Sequence, residues 1–313
     1  MKKVKNVFSL VCGVIVLTLS LSICTTFNLY EIKKKSVSPE ITHIDVVDER
    51  NGKEELNVVD LSGSIYVDFI DVGQADSCAI ITPHKDVIVI DAGEKKDASQ
   101  IIDQLNKYEF EDIDLMILSH PNAEHIGGAE TLLNTYSVSE VLMSSFPATS
   151  KLFSSLLDCL DNNDIRTTQA TKGMTYSIDG VNIEVIAVDT NIKDNNNSSI
   201  VCKVSYGDID MLFTGDAEIE TEEVILDSGV NIDSEILKVG HHGSDTSTSE
   251  EFLDAISPEL SIISVGEGNS YGHPSNEILN RLYSRNIEYY RTDESGTIEL
   301  EIDGKNIFSK FNN

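Results

Sequence analysis

From residue 65 onward the chain alternates two kinds of apolar pattern. Short runs rich in Ile, Val and Leu, at 65–70, 77–82, 87–90, 115–118, 138–143, 175–178, 181–188, 199–205, 209–213, 236–239, 260–265 and 288–291, have the length and β-branched content of strands. Between them, 97–108, 129–136, 150–160, 218–226, 249–256 and 275–284 carry apolar residues at helical spacing, as Ile101, Ile102 and Leu105 do in the first. Hairpin turns are expected at Pro83-His-Lys-Asp86 and at Asp303-Gly304. Several strands followed by β-α units, twice over, predict an α/β (α+β) domain of two sheets packed face to face with helices outside. That is a four-layer αββα sandwich.

Residues 1–35 read differently. Lys2, Lys3 and Lys5 precede an apolar run over 7–27, and Lys33, Lys34 and Lys35 follow it. About 20 apolar residues suffice to cross a bilayer, whereas a cleaved signal has a shorter apolar region and a small-x-small cleavage site. The run therefore predicts a membrane anchor with the domain outside; cleavage would make the domain secreted instead. Ile23 is bulky where lipid attachment at Cys24 wants a small residue. Residues 36–64 are polar, acidic and without sustained periodicity, which predicts a solvated tether ahead of a domain over 65–313.

Charge and cysteines narrow the function classes. A formal net charge of −30 repels polynucleotide backbones, so strong non-specific DNA binding is not expected, although a bound divalent ion reverses the sign inside one cleft. Cys78, Cys159 and Cys202 form no CxxC pair and predict buried thiols.

Five of the seven histidines fall in Ser119-His-Pro-Asn-Ala-Glu-His-Ile-Gly-Gly128, Gly240-His-His-Gly-Ser244 and Tyr271-Gly-His-Pro274, each following a predicted buried strand. Imidazole is the commonest metal ligand among side chains, and strand-end loops converge from distant sequence. A loop leaving the strand at 115–118 can point His120, Glu124 and His125 into one cleft, a donor set suited to a first-row divalent ion. Asp91 and Asp216 each close a buried strand, where a carboxylate needs a partner or a ligand.

The ordered motifs extend this. Phe69-Ile-Asp-Val-Gly-Gln-Ala-Asp76, Ile90-Asp-Ala-Gly93, the His120 motif, Asn197-Ser-Ser199, Phe213-Thr-Gly-Asp216, Leu237-Lys-Val-Gly-His-His-Gly-Ser244, Asn269-Ser-Tyr-Gly-His-Pro274 and Arg291-Thr-Asp293 follow one another along the chain. Together they resemble the metallo-β-lactamase superfamily, and within it the soluble nuclease-like domain of competence-type DNA-uptake channel proteins. The resemblance implies a cleft for one or two ions, zinc or manganese, with Asp216 bridging, His120 serving one ion and Glu124 with His125 the other. It makes His273 the last ligand and His242 a ligand or proton donor, or the two exchanged; His241 is the lesser of its pair, and Asp91 orients a ligand histidine. Asn122 stands where the pattern has His or Asp, Glu124 where it has Asp, and Ala75 where it has Gly. The usual middle histidine is missing, with Asn197 or Ser198 in its place. One firm metal position is therefore expected, and a second weaker one.

The expected activity is metal-dependent hydrolysis, of phosphodiesters more than β-lactams, on short nucleic-acid or other small substrates. The alternative is a degenerate membrane-tethered binding module, for which Asn122 and Glu124 speak, or an accessory protein of DNA uptake, which the resemblance alone implies. Ser244 and Tyr271 are candidate substrate contacts, while Ser244 also fits a helix-capping turn and Tyr271 a packed ring. Lys238 reads as a strand residue with its head in solvent.

Overall fold

The computed structural model describes residues 30–32, 63–188 and 194–310. The anchor and tether expected over 1–35 and 36–64 lie outside these, apart from a three-residue strand and residues 63–64. No helix among the described residues is long and apolar enough to cross a membrane.

The strands are β1 (Tyr30–Ile32), β2 (Ile65–Phe69), β3 (Cys78–Ile81), β4 (Val87–Ile90), β5 (Leu115–Leu118), β6 (Glu140–Met143), β7 (Arg166–Gln169), β8 (Thr175–Ile178), β9 (Val181–Ala187), β10 (Val201–Tyr206), β11 (Ile209–Phe213), β12 (Ile236–Lys238), β13 (Leu260–Ile263), β14 (Glu288–Arg291), β15 (Ile298–Ile302) and β16 (Ile307–Lys310). They form a nine-stranded sheet in the order β1-β16-β15-β2-β3-β4-β5-β6-β7 and a seven-stranded sheet in the order β14-β13-β12-β11-β10-β9-β8. Each sheet joins an antiparallel part to a parallel one, β4 to β7 in the first and β11 to β14 in the second.

The inner faces meet in one apolar layer, where Phe69 stacks on Phe213 with ring centroids 5.8 Å apart and Ile80, Ile88, Ile117, Val204, Ile236 and Ile262 fill around them. On the outer face of the first sheet lie helices Ala98–Leu105, Ala129–Thr135 and Lys151–Asn162, sealed by Ile101, Leu105, Leu132 and Leu156. Helices Ile219–Ser228, Glu250–Ile256 and Asn276–Ser284 cover the second through Ile225, Phe252, Leu253, Ile278 and Leu282. The αββα sandwich is thus formed, because strands buried on both faces need an apolar partner on each side. Cys78, Cys159 and Cys202 are free and buried, as expected.

Two elements depart from the expectation. β7 lies at the sheet edge as Arg-Thr-Thr-Gln, mostly exposed, so it carries no apolar alternation by which to be read. Residues 123–126, expected within a loop, form a short helix inside the first histidine motif.

Candidate metal centre

The parallel strands of both sheets end at one rim of the sandwich, and their loops carry the polar residues. Asp91 follows β4, Ser119 and His120 follow β5, Asp216 follows β11, and His241 and His242 follow β12. Main-chain bonds bind the loops together: Ala92 N donates to His125 O at 2.7 Å, Asp76 N to Glu124 O at 3.2 Å and Ile200 N to Ser119 O at 2.9 Å. Gly128 permits the first of these approaches, since a Cβ there would stand 2.2 Å from Ala92 O. Asp91, His241 and His242 have φ of 60°, 49° and 54°, left-handed conformations that cost non-glycine residues about 1–3 kcal/mol each and are held only where the surroundings over-determine them.

Asp216 is the hub. Its carboxylate lies 3.3 Å from His125 Nε2, 3.8 Å from His120 Nε2, 3.7 Å from His242 Nε2 and 3.9 Å from His241 Nε2. Both Asp216 oxygens and the Nε2 atoms of His120, His125 and His242 are buried without a hydrogen-bond partner. Leaving one buried polar atom unsatisfied costs about 1–3 kcal/mol, so five facing each other call for a shared partner. His120, Glu124, His125 and Asp216 offer ligand atoms within 4.8 Å of one another, as do Asp76, Asp216 and His242. A divalent cation fits this set of imidazoles and carboxylates.

The surrounding hydrogen bonds set which ring nitrogen holds each proton. His125 Nδ1 is 2.8 Å from Asp91 Oδ2, which also accepts the Ser119 hydroxyl at 2.8 Å; a carboxylate requires the Nδ1 proton and leaves Nε2 a lone pair. His242 Nδ1 lies 3.1 Å from Ser264 O and 3.2 Å from Asp76 Oδ1, both acceptors, with the same consequence. His120 Nδ1 is 3.2 Å from the Ser119 and Ser199 hydroxyl oxygens. Ser119 directs its own proton to Asp91, so its oxygen is free to accept from His120. As neutral rings, all three histidines therefore present lone pairs toward Asp216.

Without an ion, the same carboxylates favour protons on two of these rings, which a bound cation would displace. Burial opposes a charge on His125 and His242, yet Asp216 with Asp91, and Asp216 with Asp76, outweigh it and raise both imidazoles above their ordinary value. His120 is pushed down, by burial and then by His125. Burial works against the Asp216 carboxylate, but His125 and His242 hold it well below the usual range.

Of the other expected residues, some join this cluster and some do not. Glu124 is in the donor set despite its extra methylene. Asn122 points away: its side chain donates to Asn196 Oδ1 at 3.0 Å and accepts from Asn195 at 2.7 Å. Asn197 is buried, accepting at its Oδ1 from Glu218 N and Thr221 Oγ1, and Ser198 donates to Asn195 O, so both brace loops. His241 is bound at Nδ1 by Thr246 and Glu218 and lies at the rim. His273 is half-buried, belongs to none of the converging donor sets, and places Nδ1 3.5 Å from Gln74 Nε2. Ser244 is buried, bonded to Thr246 Oγ1 at 3.0 Å, while Tyr271 is exposed, its ring stacked on that of His273 at 5.8 Å.

Lys238 overturns its expectation of a solvated head. Its side chain is 5% exposed, and its ammonium lies 2.8 Å from Asp76 Oδ2 and donates to Val239 O at 3.0 Å. The reason is dielectric: a lysine within the otherwise apolar run 236–239 is buried with its strand and must find a carboxylate. Asp76, Gln74 and Ser119 border the cluster and were not singled out by motif reading, although all three lie inside the quoted motifs.

Residues 72–147 match the family model of the metallo-beta-lactamase superfamily. The chain is 31% identical over 257 residues to ComE operon protein 3 of Bacillus subtilis (strain 168), an alignment covering 76% of this chain and 33% of that protein. It is 30% identical over 234 residues to Competence protein ComA of Neisseria gonorrhoeae, covering 74% and 31%. It thus spans about a third of the length of these relatives. Among solved structures, the metallo-beta-lactamase fold protein YhfI from Bacillus subtilis superposes with a TM-score of 0.51 at 8% identity, covering 76% of this chain and 99% of that one.

Proposed function

Because the chain belongs to the metallo-β-lactamase superfamily, we propose that it is a metal-dependent hydrolase of phosphodiester bonds, acting on short nucleic-acid or other small phosphodiester substrates and tethered outside the membrane by its N-terminal segment. The observation that carries the hydrolase is the set of five orphaned polar atoms on His120, His125, His242 and Asp216. These residues with Glu124 would hold the ion, zinc or manganese. Bound there, it supplies Lewis-acid charge at the scissile group and makes a water more acidic. Asp91, through Ser119 and His125, and Asp76, through His242, keep the ligand rings oriented.

Charge supports the substrate class. Beside Asn122 opens a cavity of about 380 Å³ lined by Pro121, Pro147, Thr149, Ser150 and Asn195, uncharged throughout in a chain of net charge −30. Neither this cavity nor a larger one of about 530 Å³, lined by Glu109, Glu111, Asp112 and Asp114 with Lys85, includes a donor residue, and the larger one also has the wrong sign for phosphate. The printed name of one relative, Competence protein ComA, favours a nucleic acid over a β-lactam.

One observation favours the second reading, a binding module or uptake accessory without turnover: Asn122 turns both ends of its amide to Asn195 and Asn196 and stands outside the converging donor sets. The test strips the full-length protein with chelator, reloads it with Zn²⁺ or Mn²⁺, and assays bis(p-nitrophenyl) phosphate and a thymidine dinucleotide. Turnover restored by metal, and absent from His125→Ala and Asp216→Ala, is the expected result. A reloaded protein that holds metal and cleaves neither substrate is the binding module.

A further inference from the structure

We infer that His273 is a neutral hydrogen-bond donor to the phosphoryl oxygens of the substrate, with its proton fixed on Nε2 by Gln74, and that it is not a metal ligand. The inference rests on the phosphodiesterase reading above for the identity of the oxygen, and on geometry for everything else.

The argument starts at Gly266. Its backbone N–H donates to Gln74 Oε1 at 3.1 Å, so the oxygen end of the Gln74 amide is assigned by a donor that has no other role. The other end is then NH₂, and it faces His273 Nδ1 at 3.5 Å. A donor opposite Nδ1 requires a lone pair there, and a neutral imidazole with its lone pair on Nδ1 carries its proton on Nε2. This is the reverse of His125 and His242, whose Nδ1 atoms face acceptors and whose Nε2 atoms are bare. The same amide disfavours the doubly protonated ring, because an imidazolium would turn a second N–H on an NH₂ group. His273 therefore donates a hydrogen bond without giving up a proton.

The ring is also held in place for that task. Asn269 accepts from His273 N at 3.1 Å and from Tyr271 N at 3.1 Å, and donates to His273 O at 2.6 Å and to Gly266 O at 3.0 Å, which clamps the backbone on both sides of the ring. Gly266 lets the two segments meet, since a Cβ there would stand 2.6 Å from Gln74 N. His273 lies edge-on to His241 with ring centroids 5.7 Å apart, and His241 Nε2 is 3.9 Å from Asp216 Oδ2, so the donor stands at the half-buried mouth of the centre. Fixed donors aimed at developing charge are the strongest single contribution that residues of this kind make. Gln74 is a positioning residue, acting only through His273.

The test uses full-length protein and three readouts: metal equivalents by elemental analysis after Zn²⁺ loading, the ¹⁵N shifts of the His273 ring without metal, and kcat and KM on bis(p-nitrophenyl) phosphate. We expect Nε2 protonated in the wild type. We expect His273→Ala to keep every metal equivalent and lose kcat by about 10²–10³-fold, the usual loss for one oxyanion donor. Gln74→Glu still accepts from Gly266 but turns an acceptor toward the ring, so it moves the proton to Nδ1 and lowers kcat with metal content unchanged; a merely structural glutamine would move neither the shift nor kcat relative to KM. Loss of one metal equivalent in His273→Ala, or a bare Nε2 in the wild type, overturns the inference. A wild type that cleaves nothing sinks the phosphodiesterase reading instead, and the metal count with the ¹⁵N shifts still decides the place of His273.

Discussion

Replacing Lys238 by Met keeps the length of the side chain and removes its charge. Asp76 then stays 7% exposed with its Oδ2 facing no lysine, and His242 and His125 are left beside it. Breaking a buried ion pair by deleting one partner costs about 3–5 kcal/mol, because the surviving charge keeps its desolvation penalty. For a domain of this size each kcal/mol lowers the melting temperature by about 2–4 °C, so Lys238→Met should melt roughly 6–20 °C below wild type at neutral pH. In the wild type, burial opposes the Asp76 carboxylate, but Lys238 and then His242 hold it far below its ordinary value. Without Lys238 the largest of the charges that oppose burial is gone, so the folded-state value rises. The folded variant then holds a proton at pH values where the wild type has lost it, so its deficit should grow as pH rises through that range and shrink in acid. The double variant Lys238→Met/Asp76→Asn removes both charges and should regain most of the loss, since paired removal is often close to neutral. Thermal melts by circular dichroism on chelator-treated protein, at pH 5 and pH 8, make the comparison. A Lys238→Met variant within about 0.5 kcal/mol of wild type, or a double variant no better than the single, would refute the reasoning.

Two further outcomes are expected, at Asp91 and Asp68. Asp91→Asn removes the carboxylate behind His125 and Ser119 and should weaken metal affinity by about 10–100-fold in chelator competition, with the fold intact by circular dichroism; unchanged affinity would mean that Asp91 serves only the loop. Asp68 is buried between Gln104 and Tyr108, and burial, beyond what their hydrogen bonds recover, pushes its carboxyl up to about 6. Its folded value lies above its unfolded one, so this group's contribution to stability is full below about pH 4 and is lost as pH rises through about 6, by up to ~3 kcal/mol. Chemical denaturation across that window should show the decline in wild type and a flatter profile in Asp68→Asn; parallel profiles would rule it out.

Much of this was legible in the chain because buried strands must be apolar throughout. Leu115–Leu118 and Ile209–Phe213 could be read as strands, so His120 and Asp216 could be placed at strand ends without knowing how the strands pair. What the chain concealed was direction. Asn122 looks like a weakened ligand in the motif, and only the packing of residues 194–196 shows its amide consumed elsewhere. His242 and His273 were interchangeable by spacing; they part because Ser264 and Asp76 present acceptors to one ring and Gln74 a donor to the other. Lys238 misled because its aliphatic stem suits an exposed strand face, and its partner lies in a distant segment. β7 had no apolar alternation to betray it, and its pairing with β6 alone makes it a strand.

The central claim, that His120, His125, His242 and Asp216 form a divalent-metal centre, is tested most directly by metal stoichiometry. Full-length protein, wild type and Asp216→Ala, is equilibrated with Zn²⁺ or Mn²⁺, freed of excess ion and measured by elemental analysis. The account predicts at least one bound equivalent in the wild type and its loss in a variant that remains folded. A folded wild type that retains neither ion would contradict it.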